Sequence, residues 1–439
     1  MAEEWAVSRR RRNFKHKRLS AIMPASQLSR RRFLELATRC GAGAACAGGI
    51  LDLLNGGGFL QSILRNAAWA ADPLAALLET APRARFWTST ADPDAACGAC
   101  HAEGEPGGRR AHDHGAVLIQ CGLCAQTCVL REGERGQCRA RVHKDGVLRS
   151  LVYGRPISIH VDPIEKKPLY HFLPGSRAFS MATAGCPLRC KFCQNWQISQ
   201  ADPEDYQTPF FPPERVAAAA AGQDAPVVAF TYNEPTVFAE YLLDVARLAR
   251  SEGLRSAMIS CGFMMPDPLA EMCDVLDAIK IDLKGFDRGF YRDVCGAELD
   301  PVLRSIRRTA KSGAHLEIVN LVVPTLNDSD AMLKDLAHWI VNEVGPDVPV
   351  HFTRFHPNYQ LRHLPPTPVS TLDRARAIAL DAGIRFPYVG NVPGHPGNNT
   401  YCPDCGETVI SRMGFFIQDM RLKDGACAQC GRSIAGVWS

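Results

Sequence analysis

The 439-residue chain contains no uninterrupted apolar run of the roughly 20 residues that a bilayer-spanning helix needs, so no transmembrane segment is expected. It also lacks a basic surface. The net charge is +4, but the first 32 residues hold ten Lys/Arg and two Glu, a local +8 that leaves −4 for the rest. A nucleic-acid partner finds no positive stripe there. Nor is there a disulfide pattern. Eighteen cysteines are many, yet most fall in C-x2-C and C-x3-C clusters. Thiols that close in sequence chelate one metal more readily than they pair with distant partners. Hydrophobic content of 46% and charged content of 22% describe an ordinary globular protein, long enough for one main domain with appendages.

The most informative cluster is marked by a missing member. Cys186, Cys190 and Cys193, in the run Gly185-Cys-Pro-Leu-Arg-Cys-Lys-Phe-Cys-Gln-Asn-Trp196, have no fourth cysteine at ligand spacing. Three thiolates on one short loop can each meet a different iron of a cubane. A [4Fe–4S] cluster normally takes four cysteines, so one iron would stay open for a substrate or cofactor. A structural zinc loop or a buried thiol cluster are the alternatives, but zinc sites usually pair C-x2-C with a second ligand pair.

Three further cysteine groups stand out. Cys402-x2-Cys405 and Cys427-x2-Cys430 have the spacing of a zinc ribbon or rubredoxin knuckle, each pair followed by a glycine. Structural zinc is expected, with rubredoxin-type iron the alternative. Cys121, Cys124, Cys128 and Cys138 lie within eighteen residues and read as one metal centre. That centre is either structural zinc or an auxiliary Fe–S cluster, with free redox thiols the remaining reading. Cys97-Gly-Ala-Cys-His101 matches the haem c attachment motif, and a zinc site with His112 or His114 is the alternative. Cys261, Cys273 and Cys295 are isolated and read as core or cavity thiols.

At the N-terminus, Ser29-Arg-Arg-Arg-Phe-Leu-Glu35 matches a twin-arginine export signal. A weakly apolar stretch, Leu36–Leu60, and a cleavage pattern at Ala68-Trp-Ala70 follow it. A basic tail is the alternative. An exported or membrane-associated protein is therefore expected, or a cytoplasmic one if the segment is not used. The expected organisation is a signal and tail over 1–70, a linker and Cys/His-rich region over 71–150, a main domain over 151–398 and a C-terminal module over 399–439.

Across the main domain, apolar runs alternate with helical stretches. Strands are expected at Ala178–Thr183, Val227–Phe230, Ser256–Ser260, Ala278–Leu283, Leu316–Val323 and Val350–Thr353, with helices such as Thr236–Ser251 and Met332–Val344 between them. That order predicts a parallel sheet whose chemistry gathers just after each strand. About six units are visible. The predicted fold is α/β, a partial (β/α)6 TIM-like barrel with a Cys-rich N-terminal region and a C-terminal zinc-ribbon-like module.

Met181–Trp196, Thr231–Thr236, Asp282–Lys284, Leu321–Asn327 and Arg354–Pro357 resemble radical S-adenosylmethionine (SAM) proteins related to glycyl-radical-enzyme activases. Val152–Pro156, Asp162–His171 and Asn391–His395 narrow the resemblance to the AmmeMemoRadiSam-system radical SAM enzymes, over roughly residues 115–439. The resemblance implies that the triad holds a [4Fe–4S] cluster whose open iron binds SAM. It implies reductive cleavage of SAM to methionine and a 5′-deoxyadenosyl radical that takes hydrogen from a substrate, with a flavodoxin- or ferredoxin-like electron donor. It further implies that Glu234, and less directly Asn233, meet the SAM amino group, in a segment that can also start a helix at Pro235. Ser260 and Gly262 are expected near the SAM ribose or methionine. Asp282 and Lys284 would meet SAM or substrate, or else form a solvated pair, and Arg354 and His356 would face the substrate.

The substrate is not legible, and a protein substrate or proteins encoded nearby are candidate partners. One rival is an activase, whose glycyl-radical partner should be encoded nearby. Rivals of other classes are a non-catalytic Fe–S electron carrier, with four-cysteine ligation throughout, and a zinc-stapled interaction module without iron. Export conflicts with SAM, a cytosolic metabolite.

Overall fold

Short runs of Val, Ile, Ala and Phe set the frame of the molecule. The computed structural model describes residues 73–91 and 116–439. The twin-arginine segment, the Leu36–Leu60 stretch and Cys97-x2-Cys100-His101 lie outside the described residues.

Helix α1 (Pro73–Thr80) leads into a three-stranded antiparallel sheet of β1 (Trp87–Ser89), β2 (Ile119–Cys121) and β3 (Val129–Leu130). A hairpin follows, β4 (Arg141–Lys144) and β5 (Val147–Ser150). Its turn is Asp145-Gly146, both at positive φ, as a two-residue hairpin turn requires.

The main sheet has eight strands: β6 (Ser158–Pro163), β7 (Arg177–Ala182), β8 (Val227–Phe230), β9 (Arg255–Ser260), β10 (Ala278–Asp282), β11 (His315–Val322), β12 (Val350–Arg354) and β13 (Pro387–Gly390). They pair in sequence order, all parallel except the β6–β7 pair. Successive parallel strands are crossed over by α2 (Pro213–Ala221), α3 (Ala239–Ser251), α4 (Pro266–Val275), α5 (Leu299–Ala310), α6 (Asp330–Glu343) and α7 (Val369–Asp381). This is a partial TIM-like α/β arrangement with six strand–helix units.

Each helix is held by the face it buries. On α5, Val302, Ile306 and Thr309 are buried while Arg304 and Arg308 stay exposed, a helical period that points one stripe at the sheet. Each fully buried aliphatic side chain contributes about 1.5–3 kcal/mol. Central strands such as β8 are buried at every position, as strands covered by helices on the outside and side chains on the inside must be.

Two strands do not announce themselves as apolar runs. Strand β6 alternates polar and apolar residues, ends at Pro163 and pairs on one side only, as an edge strand does. Strand β13 has only four residues and begins with Pro387.

The C-terminal strands are β14 (Thr400–Tyr401), β15 (Thr408–Met413), β16 (Phe416–Met420), β17 (Leu422–Lys423) and β18 (Ala426–Cys427). They share a core with the main sheet, where Tyr170, Phe386 and Tyr388 pack with Cys402, Val409, Ile410, Cys427 and Ile434. Among the described residues no helix is long and apolar enough to cross a membrane.

Candidate active site

The loop after β7 carries the three cysteines, and its backbone is pinned on both flanks. The Gly185 amide donates to Ile198 O, Arg189 N to Cys295 O and Lys191 N to Val294 O. Gly185 has φ of +96°, and a Cβ there would stand 2.2 Å from the Cys138 carbonyl oxygen. Only glycine fits this approach. Leu188 and Phe192 are buried between the cysteines, and Phe192 stacks on Phe290 with ring centroids 6.2 Å apart.

Cys186, Cys190 and Cys193 line one cavity of about 520 Å³. Every parallel strand supplies that cavity from its C-terminal end or the turn beyond: the triad after β7, Glu234 after β8, Ser260 on β9, Asp282 on β10, Leu321 on β11, Thr353 on β12 and Asn391 after β13. Burial pushes the Cys186 thiol well up, with the nearby Glu234 carboxylate adding to it. Burial also raises Cys193, whose sulfur lies 3.2 Å from the Ser199 hydroxyl. Three thiolates gathered around one cavity repel one another and need a cation core to hold them.

Glu234 is buried, at 2% exposure. Its Oε1 accepts from Thr236 N at 3.1 Å, Thr236 Oγ1 at 2.6 Å and Ser260 Oγ at 2.8 Å, and its Oε2 accepts from Cys261 N at 2.6 Å. All four donors are neutral. Beside it, Asn233 donates from Nδ2 to Gly185 O at 2.9 Å, while its Oδ1 is buried without a hydrogen-bond partner. A buried carboxylate with only neutral donors, next to an orphaned amide oxygen, fits an ammonium group.

Residues 181–340 match the radical SAM superfamily. An uncharacterized protein of Methanocaldococcus jannaschii is 41% identical over 318 residues, which cover 72% of this chain and 95% of that one. The chain belongs to the radical SAM superfamily. A pyruvate formate-lyase-activating enzyme of Clostridium pasteurianum is 25% identical over 167 residues, covering 36% of this chain and 67% of the relative. A solved domain of such an activating enzyme from Bacteroides vulgatus is 18% identical, covers 37% of this chain and 98% of its own, and has a TM-score of 0.34. The protein is a radical SAM enzyme related to activases, and it cleaves SAM to a radical.

Glu234, Asn233 and Ser260 line the cavity with the triad. Ser260, however, spends its hydroxyl on Glu234 and so positions the carboxylate. Gly262 does not line the cavity. At φ of +70° it turns the chain after β9, its amide donating to Ser260 Oγ at 2.9 Å, and a Cβ there would meet Ile281 at 2.7 Å.

Asp282 and Lys284 do line the cavity and are not a solvated pair. Lys284 Nζ stands 3.1 Å from Asp282, and Lys280 makes a still shorter ion pair with it. Burial drives the Asp282 carboxyl up, but the two lysines outweigh it and hold it at about 2. Arg354 and His356 do not reach the cavity. Arg354 donates through Nε to Thr367 O at 2.9 Å, and His356 is exposed.

Lys166 and Lys167 also border the cavity, and sequence reasoning gave them no role. Both pair with Asp162, Lys166 at 2.8 Å and Lys167 at 2.5 Å, and the Tyr232 hydroxyl donates to the same carboxylate. Lys167 is buried, which pulls it down to about 8 against the upward pull of Asp162. Their signal was the Asp162–His171 block itself, whose charged residues run from the end of β6 through a single 3-10 turn, Ile164–Lys166.

At the C-terminus, Cys402, Cys405, Cys427 and Cys430 offer sulfurs that all lie within 4.8 Å of one another. Cys402 and Cys430 stand 3.5 Å apart, Cys405 and Cys427 3.8 Å. Each pair sits in the same turn, with Gly406 and Gly431 at positive φ and their amides donating to Cys402 O and Cys427 O.

Proposed function

We propose that Cys186, Cys190 and Cys193 hold the [4Fe–4S] cluster of this radical SAM enzyme, and that Glu234 with Asn233 Oδ1 receives the ammonium group of SAM. The observation that carries this reading is the meeting of three thiols, Cys190 buried and Cys186 and Cys193 half-buried, with an uncompensated buried carboxylate around one cavity. A cluster held there supplies the electron that splits SAM into methionine and a 5′-deoxyadenosyl radical. The chain's own residues do the rest. Glu234 orients SAM, fixed in turn by Ser260 and the Cys261 amide. Phe192 and Leu188 exclude water from the sulfurs. Asp282, clamped between Lys280 and Lys284, presents a fixed polar wall to whatever binds deeper.

The reading extends to the AmmeMemoRadiSam subgroup. In support, Lys166, Lys167, Pro168 and Asn391, which belong to the blocks that carry that resemblance, all border the cavity. The relation to pyruvate formate-lyase-activating enzymes favours a second reading, in which the hydrogen donor is a backbone glycine of a partner protein. For the C-terminal thiols we propose structural zinc. In support, four thiolates about 2.3 Å from one tetrahedral ion stand about 3.8 Å from each other.

The test is the electron paramagnetic resonance spectrum of the reduced cluster with and without SAM. A spectrum that changes on adding SAM to the parent protein, and changes only at much higher SAM in Glu234→Gln, is the expected result. A spectrum indifferent to SAM in the parent would remove the open-iron assignment.

A further inference from the structure

We infer that Cys121, Cys124, Cys128 and Cys138 hold a second [4Fe–4S] cluster, ligated by all four cysteines and packed against the triad loop. The four thiols belong together. Cys121, Cys124 and Cys138 are buried, and each lies within electrostatic reach of the others. The Cys128 and Cys138 sulfurs flank Gly136, 3.8 and 3.6 Å from where its Cβ would be, and Gln137 N donates to Cys128 Sγ at 3.4 Å.

The chain contains its own yardstick for a single ion. Among the described residues, only the C-terminal four sulfurs converge to within 4.8 Å. No three sulfurs of the Cys121 group do so, although the four lie within electrostatic reach of one another and two of them flank Gly136. Thiolates bound to different irons of a cubane must stand farther apart than thiolates sharing one tetrahedral ion. Sulfurs spread beyond that reach, yet close enough to act on one another, suit the separate irons of a cubane better than one shared ion. With a cysteine for each of four irons, this cluster has no open position and takes no SAM.

Its place in the fold supports the same assignment. Gln126 Nε2 donates to Pro187 O at 3.0 Å and Gly296 O at 3.1 Å, and Gln137 Nε2 donates to Pro187 O at 2.9 Å. Arg189, between two triad cysteines, donates to both Cys186 O and Gln137 O. Gly185 meets the Cys138 carbonyl, and Cys124 pairs with Met264 beyond β9. The second thiol group is thus wedged against the first, within the part of the molecule that must receive electrons.

The test counts acid-labile sulfide, iron and zinc in the full chain purified and reconstituted without oxygen, beside the variant Cys186→Ala/Cys190→Ala/Cys193→Ala. The expected result is about eight sulfides per chain in the parent and about four in the variant. The variant's reduced signal should ignore SAM. About four sulfides in the parent and none in the variant, with zinc rising to two per chain, would overturn the inference and leave the triad assignment standing. About four in both would support this site and remove the triad assignment instead. If the variant does not fold, the parent alone decides: about eight sulfides support the second cluster, and about four with two zinc ions overturn it.

Discussion

The Ser260 hydroxyl donates a 2.8 Å hydrogen bond to Glu234 Oε1, tying the last residue of β9 to the buried carboxylate beyond β8. The same hydroxyl accepts from Gly262 N, so one side chain sets both the carboxylate and the turn behind it. Ser260→Ala leaves Glu234 with three donors and frees it to shift. A hydrogen bond to a charged group contributes about 1.5–3 kcal/mol, so SAM affinity should fall about tenfold or more. The KM for SAM should rise while kcat at saturation changes less. Unchanged SAM binding by calorimetry would show that Ser260 does not position the site.

The C-terminal thiols make a separate prediction. The purified chain should carry zinc that Cys402→Ser/Cys430→Ser loses, with a lowered melting temperature, because Cys402 and Cys427 share a core with Tyr170 and Tyr388. SAM cleavage should persist in that variant, since these residues lie outside the cavity lining. Iron without sulfide at this position, measured by metal analysis, would indicate the rubredoxin alternative.

Acid should weaken the attachment of the C-terminal strands. His171 is fully buried, with Nδ1 2.6 Å from Ala435 O and Nε2 2.6 Å from Tyr388 Oη. Burial brings it down to about 3, although nearby Glu317 pulls the other way. The unfolded chain protonates this ring near pH 6.5, so between about 3 and 6.5 the unfolded state binds a proton that the folded state does not. The stability contribution is complete above pH 6.5 and is lost as pH falls toward 3, by up to about 1.4 kcal/mol per pH unit. Glu317 adds to the same trend. Burial alone would raise it, but His315 and His351 outweigh that and hold it well below its ordinary range. Melting temperatures from pH 7 to 4 should fall, and the slope should flatten in His171→Gln. An unchanged slope would contradict the assignment.

The parallel strands were legible because each is a run of apolar residues, buried on both faces, followed by Gly, Pro or polar residues. Strand β6 escaped because an edge strand with one exposed face alternates and carries no such run. Strand β13 escaped because four residues beginning with proline look like a turn. Glu234 and the triad could be read because their chemistry sits in short contiguous motifs. Lys166, Lys167 and Asn391 could not, since they reach the cavity from segments far apart in sequence. Arg354 and His356 belong to a block that carries the resemblance, yet neither side chain lines the cavity. Between them Phe355 is the buried residue, its amide donating to Thr367 Oγ1, while Arg354 donates to Thr367 O.

The most direct test is the yield of 5′-deoxyadenosine from the full chain, reconstituted without oxygen and given dithionite and SAM, beside Cys193→Ala. Because Cys193 lies half-buried on a loop pinned by backbone hydrogen bonds rather than in a strand, the variant should fold. The account predicts 5′-deoxyadenosine and methionine from the parent and none above background from the variant. Equal yields from both proteins would contradict it.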